Sequence, residues 1–104
     1  MPLRPKPRPF QYHRAEQRIP MEVPVIIDGH RRTPGVEATF TENVSSKGAR
    51  VISMRNWEIG ERLNFSSRTG EFRSSARVAY CQPLQGEGFA VGVEFLEAKG
   101  RWVV

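Results

Sequence analysis

The sequence has few of the residues on which catalytic and metal sites are usually built. Its 104 residues include one cysteine, Cys81, one aspartate, Asp28, and two histidines, His13 and His30. A single cysteine cannot form an internal disulfide, and together with two histidines it does not supply the four ligands of a closed zinc site. No segment resembles the nucleophile elbow of a serine hydrolase. We therefore expect neither an enzyme nor a metal site.

Long apolar runs are also missing. No segment approaches the length of about 20 apolar residues that a membrane-spanning helix needs. The first ten residues, MPLRPKPRPF, are basic but lack the apolar stretch of a signal peptide. These features predict a cytoplasmic protein without membrane insertion.

Charge and proline are concentrated at the amino terminus. The chain has a net charge of +5, of which residues 1–18 carry +4, and four of its eight prolines lie in the first nine residues. Proline disrupts helices and sheet ladders, so we predict that residues 1–11 form a flexible basic tail. Such a tail favours a polyanionic partner. On charge alone, a tail that only increases solubility is an equal alternative.

After Pro20, apolar and polar residues alternate with a period of two, which is typical of strands with one buried face. Six such segments are separated by turn residues: 21–28, 36–41, 49–54, 61–65, 71–81 and 89–95. The apolar residues predicted to face the core include Val36, Ala38 and Phe40 in the second segment and Phe72, Ala76, Val78 and Tyr80 in the fifth. No ten-residue stretch has helical periodicity. The pattern predicts an all-β fold, a six-stranded antiparallel β-barrel.

Two short polar motifs are candidates for binding. In RAEQR, Arg14 and Arg18 lie four residues apart, and each guanidinium can bind a phosphate or the O6/N7 edge of guanine in a bidentate manner. In NVSSKG, predicted to be a loop, Asn43 and Ser45 point the same way if the segment is extended. Their side chains can then reach a base edge, and Gly48 permits the positive φ that the turn into the next strand requires.

The order and spacing of these motifs resemble the paired signature of the PilZ domain family, RxxxR followed by [D/N]xSxxG. Arg14 and Arg18 match the first part, and Asn43, Ser45 and Gly48 match the second. The likeness covers residues 12–97 and is supported by the segments GARV at 48–51, RVAY at 77–80 and VGVEFL at 91–96.

The resemblance implies a β-barrel that binds the bacterial second messenger cyclic di-GMP. Arg14 and Arg18 would hold its phosphates and the Hoogsteen edge of a guanine. Asn43 and Ser45 would contact the base, and Gly48 would shape the loop and let the ligand approach. His13 and Arg50 lie beside the motifs and are further candidates for ligand contact, with a plain surface position as the alternative for Arg50.

Members of the family often continue into a C-terminal helix, whereas this chain ends in EAKGRWVV. We therefore expect that helix to be absent or rudimentary. The apolar residues of this end, Trp102, Val103 and Val104, would then cover one end of the barrel or contact another subunit.

These observations predict a tail at 1–11, a PilZ-like barrel at 12–97 and a C-terminal extension at 98–104. The predicted function is that of a bacterial signalling receptor without enzymatic activity, monomeric or weakly dimeric, that binds cyclic di-GMP but not DNA. Binding would change the N-terminal segment and the surface, and thereby signal to an unidentified protein partner. Two alternatives remain open: a barrel that binds single-stranded RNA, and a PilZ-type interaction scaffold that does not bind the nucleotide.

Overall fold

The computed structural model describes residues 17–104, which form seven β-strands. Within that range, no helix is long and apolar enough to span a membrane. The predictions made for the tail, His13 and Arg14 lie outside the described residues. The strands are β1 (Ile19–Pro20), β2 (Pro24–Asp28), β3 (Glu37–Ser45), β4 (Gly48–Ser53), β5 (Arg62–Ser67), β6 (Phe72–Pro83) and β7 (Phe89–Gly100).

Six of these strands form a closed antiparallel barrel, as predicted. The hydrogen-bonded order is β3-β2-β5-β6-β7-β4, and a further pairing between β3 and β4 closes the ring. The two-residue strand β1 is additional. It pairs with Asn43 and Val44 on the edge of β3 that also carries β2, so β1 and β2 follow one another along β3.

Most of the predicted core is confirmed. Side chains that alternate along β2, β5, β6 and β7 point inward and are at most a few per cent exposed, because the barrel encloses one face of every strand. The core includes Val25, Ile27, Val44, Val51, Leu63, Phe65, Phe72, Ala76, Val78, Val91 and Val93. Trp57 is also buried, and its indole N–H donates to Oγ of Ser53 at 3.0 Å.

The prediction for the inward face of the second segment is wrong. Val36 and Phe40 are 63% and 41% exposed, and Ala38 is exposed as well. The inward position is taken by Thr41, which is fully buried. Its hydroxyl donates to the carbonyl oxygen of Met21 at 2.7 Å and accepts from the amide of Val23 at 2.9 Å. These bonds use both the donor and an acceptor of the hydroxyl. A polar side chain can therefore point into the core without leaving an unpaired polar atom.

Tyr80 is also not on the predicted side. Val78 pairs with Val93 and Tyr80 pairs with Gly92, so Ala79 is an extra residue on β6. This β-bulge reverses the alternation, since the side-chain period of a strand is two. Val78 therefore stays in the core, while Tyr80 lies on the outer surface of the barrel, half-buried.

Candidate nucleotide-binding site

The segment NVSSKG forms a tight hairpin between two strands, where sequence analysis predicted a loop. Asn43–Ser45 ends β3, Ser46 and Lys47 make the turn, and Gly48 begins β4 opposite Ser45. Side chains alternate along a strand, so Asn43 and Ser45 lie on the same face of β3. Asn43 is partly exposed there, whereas Ser45, like Val44 between them, is fully buried. We refer to residues 43–48 as the motif hairpin.

Gly48 is needed for a different reason from the one expected. Its φ is not positive. Instead, β4 and β7 approach so closely at this point that a methyl group on Gly48 would collide with the carbonyl oxygen of Val93. The glycine therefore allows two backbones to pack together next to the site.

A hydrogen bond joins the two sequence motifs. Nη1 of Arg18 donates to Oδ1 of Asn43 at 3.0 Å, although the two residues are 25 positions apart. Arg18 comes directly before β1, whose pairing with Asn43 and Val44 brings it beside the motif hairpin. Both side chains lie at the surface, so the guanidinium retains donors for a further acceptor.

Ser45 is fully buried, and its hydroxyl is used within the motif hairpin. It accepts from the amide of Lys47 at 3.3 Å and lies 3.4 Å from the carbonyl oxygen of Gly48, to which it donates. In this arrangement Ser45 shapes the turn. Its contact with a base remains a prediction.

The site continues across the outer surface of the barrel in one row of paired residues. Pro20 pairs with Asn43, Asn43 with Arg50, Arg50 with Gly92, and Gly92 with Tyr80. Two bulges, at Glu42 on β3 and at Ala79 on β6, produce this row, because each brings the residue after it to the outer face.

Arg50 is held in place by three neighbours. Its Nε donates to Oε1 of Glu42 at 2.8 Å, and its Nη1 donates to the hydroxyl of Tyr80 and to Oε1 of Gln82, each at 3.2 Å. The hydrogen bonds to Glu42 and then Tyr80 raise the pKa of Arg50 and outweigh its partial burial. The guanidinium therefore stays charged, but Glu42 balances much of its charge.

A cavity of about 190 Å³ lies against one side of this row. It is lined by Arg18, Lys47, Gly48, Ala79, Tyr80, Gly92, Val93 and Glu94. Larger depressions, of about 220, 420 and 500 Å³, lie elsewhere on the surface and contain none of the predicted site residues. We place the candidate site at the smaller cavity because the two motifs meet there.

The structure thus brings together most of the predicted residues that it describes. Arg18 and Asn43 are in contact, Gly48 lines the same cavity as Arg18, and Arg50 is the direct partner of Asn43 across the strands. Within residues 17–104, no group of three or more His, Cys, Asp or Glu side chains is placed to hold a metal ion.

Sequence analysis missed Tyr80 and Gly92 as parts of the site. Tyr80 was assigned to the core from its alternation with Val78, and the bulge at Ala79 is not visible in that pattern. Gly92 carried a usable signal, because an isolated glycine within a strand often marks a close approach of another group. Here that group is the ring of Tyr80.

The fold is a small antiparallel barrel with the two sequence motifs side by side on its surface. A comparison with known protein families matches the PilZ domain to residues 12–101, and the chain belongs to this family. PilZ domains are generally cyclic di-GMP-binding or protein-interaction domains.

Among solved structures, the chain is similar to the Bacillus subtilis inhibitor of motility MotI/DgrA. The TM-score is 0.65 and the sequence identity is 19%, over 81% of this chain and 42% of that chain. The chain thus spans about two fifths of the length of this neighbour, and the likeness supports the barrel fold. A search of curated proteins finds no match.

Proposed function

We propose that this PilZ domain binds cyclic di-GMP at the cavity beside the motif hairpin and acts as a signalling receptor. The observation that carries the proposal is the 3.0 Å hydrogen bond from Arg18 to Asn43. It unites the arginine motif and the hairpin motif in one site, as a ligand that contacts both would require.

The charge around the cavity supports an anionic ligand. Glu94, which also lines the cavity, is paired with Arg77, and Glu42 is paired with Arg50. In the part of the chain from residue 17 onwards, no carboxylate lies within ion-pair distance of Arg18 or Lys47. These two cations therefore provide a positive potential, and a guanidinium fork is well suited to a phosphate or a guanine edge.

The cavity is large enough to enclose only part of a dinucleotide ligand. Pockets that enclose a drug-sized molecule usually have volumes of about 300–1,000 Å³. A dinucleotide with two guanines and two phosphates exceeds a cavity of about 190 Å³. We therefore infer that one part of the ligand enters beside Arg18 and Gly48 and that the rest extends over the outer surface of the barrel.

The same surface is less suited to binding single-stranded RNA. Sequence-tolerant RNA binding uses exposed aromatic rings as stacking platforms. Phe65 and Phe72 are buried and Phe95 packs against the core. Tyr80 is half-buried at the site, and its hydroxyl and ring are engaged by Arg50.

We propose that signalling occurs through the N-terminal segment. The ligand would draw Arg14 and Arg18 together over the motif hairpin, and the changed surface would be recognised by a protein partner. Amide hydrogen exchange with and without cyclic di-GMP tests this step. Residues 12–20 and 43–48 should exchange more slowly with ligand, and an unchanged rate at 12–20 under saturation would contradict the relay.

Isothermal calorimetry tests the binding itself. The wild type should bind cyclic di-GMP and show no comparable affinity for GMP or single-stranded RNA. Arg18→Ala and Arg14→Ala should each weaken binding about 5- to 150-fold, because each removes a bidentate contact. Arg68→Ala, in the exposed turn between β5 and β6, is the matched control and should bind like the wild type. Wild-type affinity in both motif variants would disprove the site.

A further inference from the structure

The motif hairpin is held by the C-terminal part of the chain at two points. The indole Nε1 of Trp102 donates to the carbonyl oxygen of Ser45 at 3.0 Å, across 57 residues of sequence. The amide of Phe95 donates to the carbonyl oxygen of Lys47 at 2.8 Å. These bonds satisfy two backbone acceptors of a short hairpin and fix its position relative to the barrel.

A glycine directs Trp102 to this position. Gly100 ends β7 with a φ of +90°, and a methyl group there would collide with the carbonyl oxygen of Glu71. The next residue, Arg101, donates its amide to that same oxygen at 2.8 Å. The chain therefore turns inward immediately after β7, and Trp102 packs against the core at one end of the barrel, as predicted for this residue, whereas Val103 and Val104 are about half exposed.

Trp102 belongs to an aromatic cluster that also contains Phe65, Phe72 and Phe95. Its ring centroid lies 4.7 Å from that of Phe72, 5.4 Å from that of Phe95 and 5.5 Å from that of Phe65. Both hydrogen bonds to the motif hairpin thus come from residues of this cluster. Close-packed rings shift together, so a displacement of Trp102 also disturbs Phe95.

We propose that Trp102 is a positioning residue for the candidate site and couples the motif hairpin to the C-terminal segment. Its indole N–H holds Ser45, and Ser45 in turn orders the turn that places Asn43 and Gly48. The ligand-dependent part of this inference rests on the proposed function. Coupling is reciprocal, so cyclic di-GMP bound at the hairpin must also change the environment of Trp102.

The test compares Trp102→Phe with Trp57→Phe, which offers a matched control within the same barrel. Trp57 is also packed in the core and also donates its indole N–H, in this case to Ser53 at 3.0 Å. Both variants therefore lose one indole hydrogen bond and part of an aromatic ring. Trp57 makes no hydrogen bond to the motif hairpin. A general loss of stability should therefore appear in both variants, whereas loosening of the motif hairpin should appear only in Trp102→Phe.

The first measurement is amide hydrogen exchange without ligand. In Trp102→Phe, the amides of Lys47 and Phe95 should exchange about two- to tenfold faster, the range expected for the loss of one hydrogen bond. In Trp57→Phe, the ratio of these rates to those of core amides should stay at the wild-type value. Equal rates in Trp102→Phe and wild type, or an equal increase in both variants, would overturn the positioning role.

The second measurement is titration with cyclic di-GMP. We expect about two- to tenfold weaker affinity in Trp102→Phe, unchanged affinity in Trp57→Phe, and a ligand-dependent change in Trp102 emission when Trp57 is replaced by Phe. Unchanged affinity in Trp102→Phe would overturn the coupling but leave the proposed function intact. If the wild type does not bind the ligand, the proposed function fails, and the exchange experiment still decides the positioning role.

Discussion

Tyr80 packs directly against the backbone of Gly92, so closely that a methyl group at position 92 would overlap the tyrosine ring. The two residues are partners across β6 and β7, and Gly92 is also the partner of Arg50 on β4. The missing side chain therefore lets the ring lie across the strand and reach Arg50, whose guanidinium carbon is 5.7 Å from the ring centroid.

Replacement of Gly92 by Ala should displace Tyr80 from the site. Overpacking of this kind costs about 1–3 kcal/mol of stability, although rotation of the ring can relieve part of it. Because Tyr80 lines the cavity, we expect cyclic di-GMP affinity to fall about fivefold, close to 1 kcal/mol. Calorimetry and urea unfolding measure both effects. Tyr80→Phe, which keeps the ring, should bind more tightly than Gly92→Ala, and the reverse order would contradict a role for the ring.

Asn43→Asp should bind cyclic di-GMP at least as tightly as the wild type, whereas Asn43→Ala should bind more weakly. A carboxylate accepts from Arg18 through a charge-assisted bond and can accept from N1–H and N2–H₂ of guanine together. The loss in the alanine variant should be about 0.5–1.5 kcal/mol, the value of one net hydrogen bond. Side-by-side titration decides the matter, and weaker binding by Asp than by Ala would exclude the base contact.

Gly48→Ala should destabilise the barrel through a collision with β7. We expect a loss of about 1–3 kcal/mol in urea unfolding, since the atom that the new methyl group meets is backbone and cannot move freely. Gly70→Ala is a useful comparison, because Gly70 has a φ of +84° and open space around it. That variant should lose stability through backbone strain alone and keep wild-type affinity, whereas Gly48→Ala should lose affinity as well.

Glu61 should make stability depend on pH below about 5. Burial raises the pKa of this carboxyl. The amides of Glu58 and Arg31 donate to its two oxygens at 3.0 Å each and lower the pKa by more than burial raises it, so the net shift is downward. A carboxylate with a lowered pKa in the folded state stabilises the protein above its ordinary pKa of about 4.3 and ceases to do so as pH falls through the folded value.

Glu61→Gln should therefore lose about 1 kcal/mol at pH 6, because one amide loses its acceptor, and show a smaller further loss between pH 5 and pH 3 than the wild type. Urea unfolding at the two ends of this range measures the difference. Glu87→Gln, exposed in the turn between β6 and β7, is the control. A pH dependence in Glu61→Gln equal to that of the wild type would show that Glu61 does not contribute.

The sequence by itself determined the strands, most of the core and the two motifs. A period of two identifies a strand and the residues that share a face, because the geometry of the extended chain is local. The six alternating segments predicted a six-stranded barrel. The structure forms such a barrel, with the strand order β3-β2-β5-β6-β7-β4. The resemblance of the two motifs to the PilZ signature implied that they share a ligand site; Arg18 and Asn43 are in contact, and ligand binding there stays a prediction.

Only the tertiary structure decided which face of a strand is buried and which distant residues meet. Val36, Ala38 and Phe40 have the pattern of a buried face, yet they are exposed, and the buried position on this strand is taken by Thr41 with its two hydrogen bonds. A single extra residue at Ala79 moves Tyr80 from the predicted core into the site.

The contact between Trp102 and Ser45 has no counterpart in the sequence pattern. It depends on the close approach of Gly100 to Glu71 and on the packing of four aromatic rings contributed by β5, β6, β7 and the residues after them. The alternation of side chains between the two faces of a strand is set by neighbouring residues. The positions of bulges, the choice of buried face and the contact across 57 residues are set by closure of the barrel. Closure depends on the whole chain at once, and for this reason no local segment encodes it.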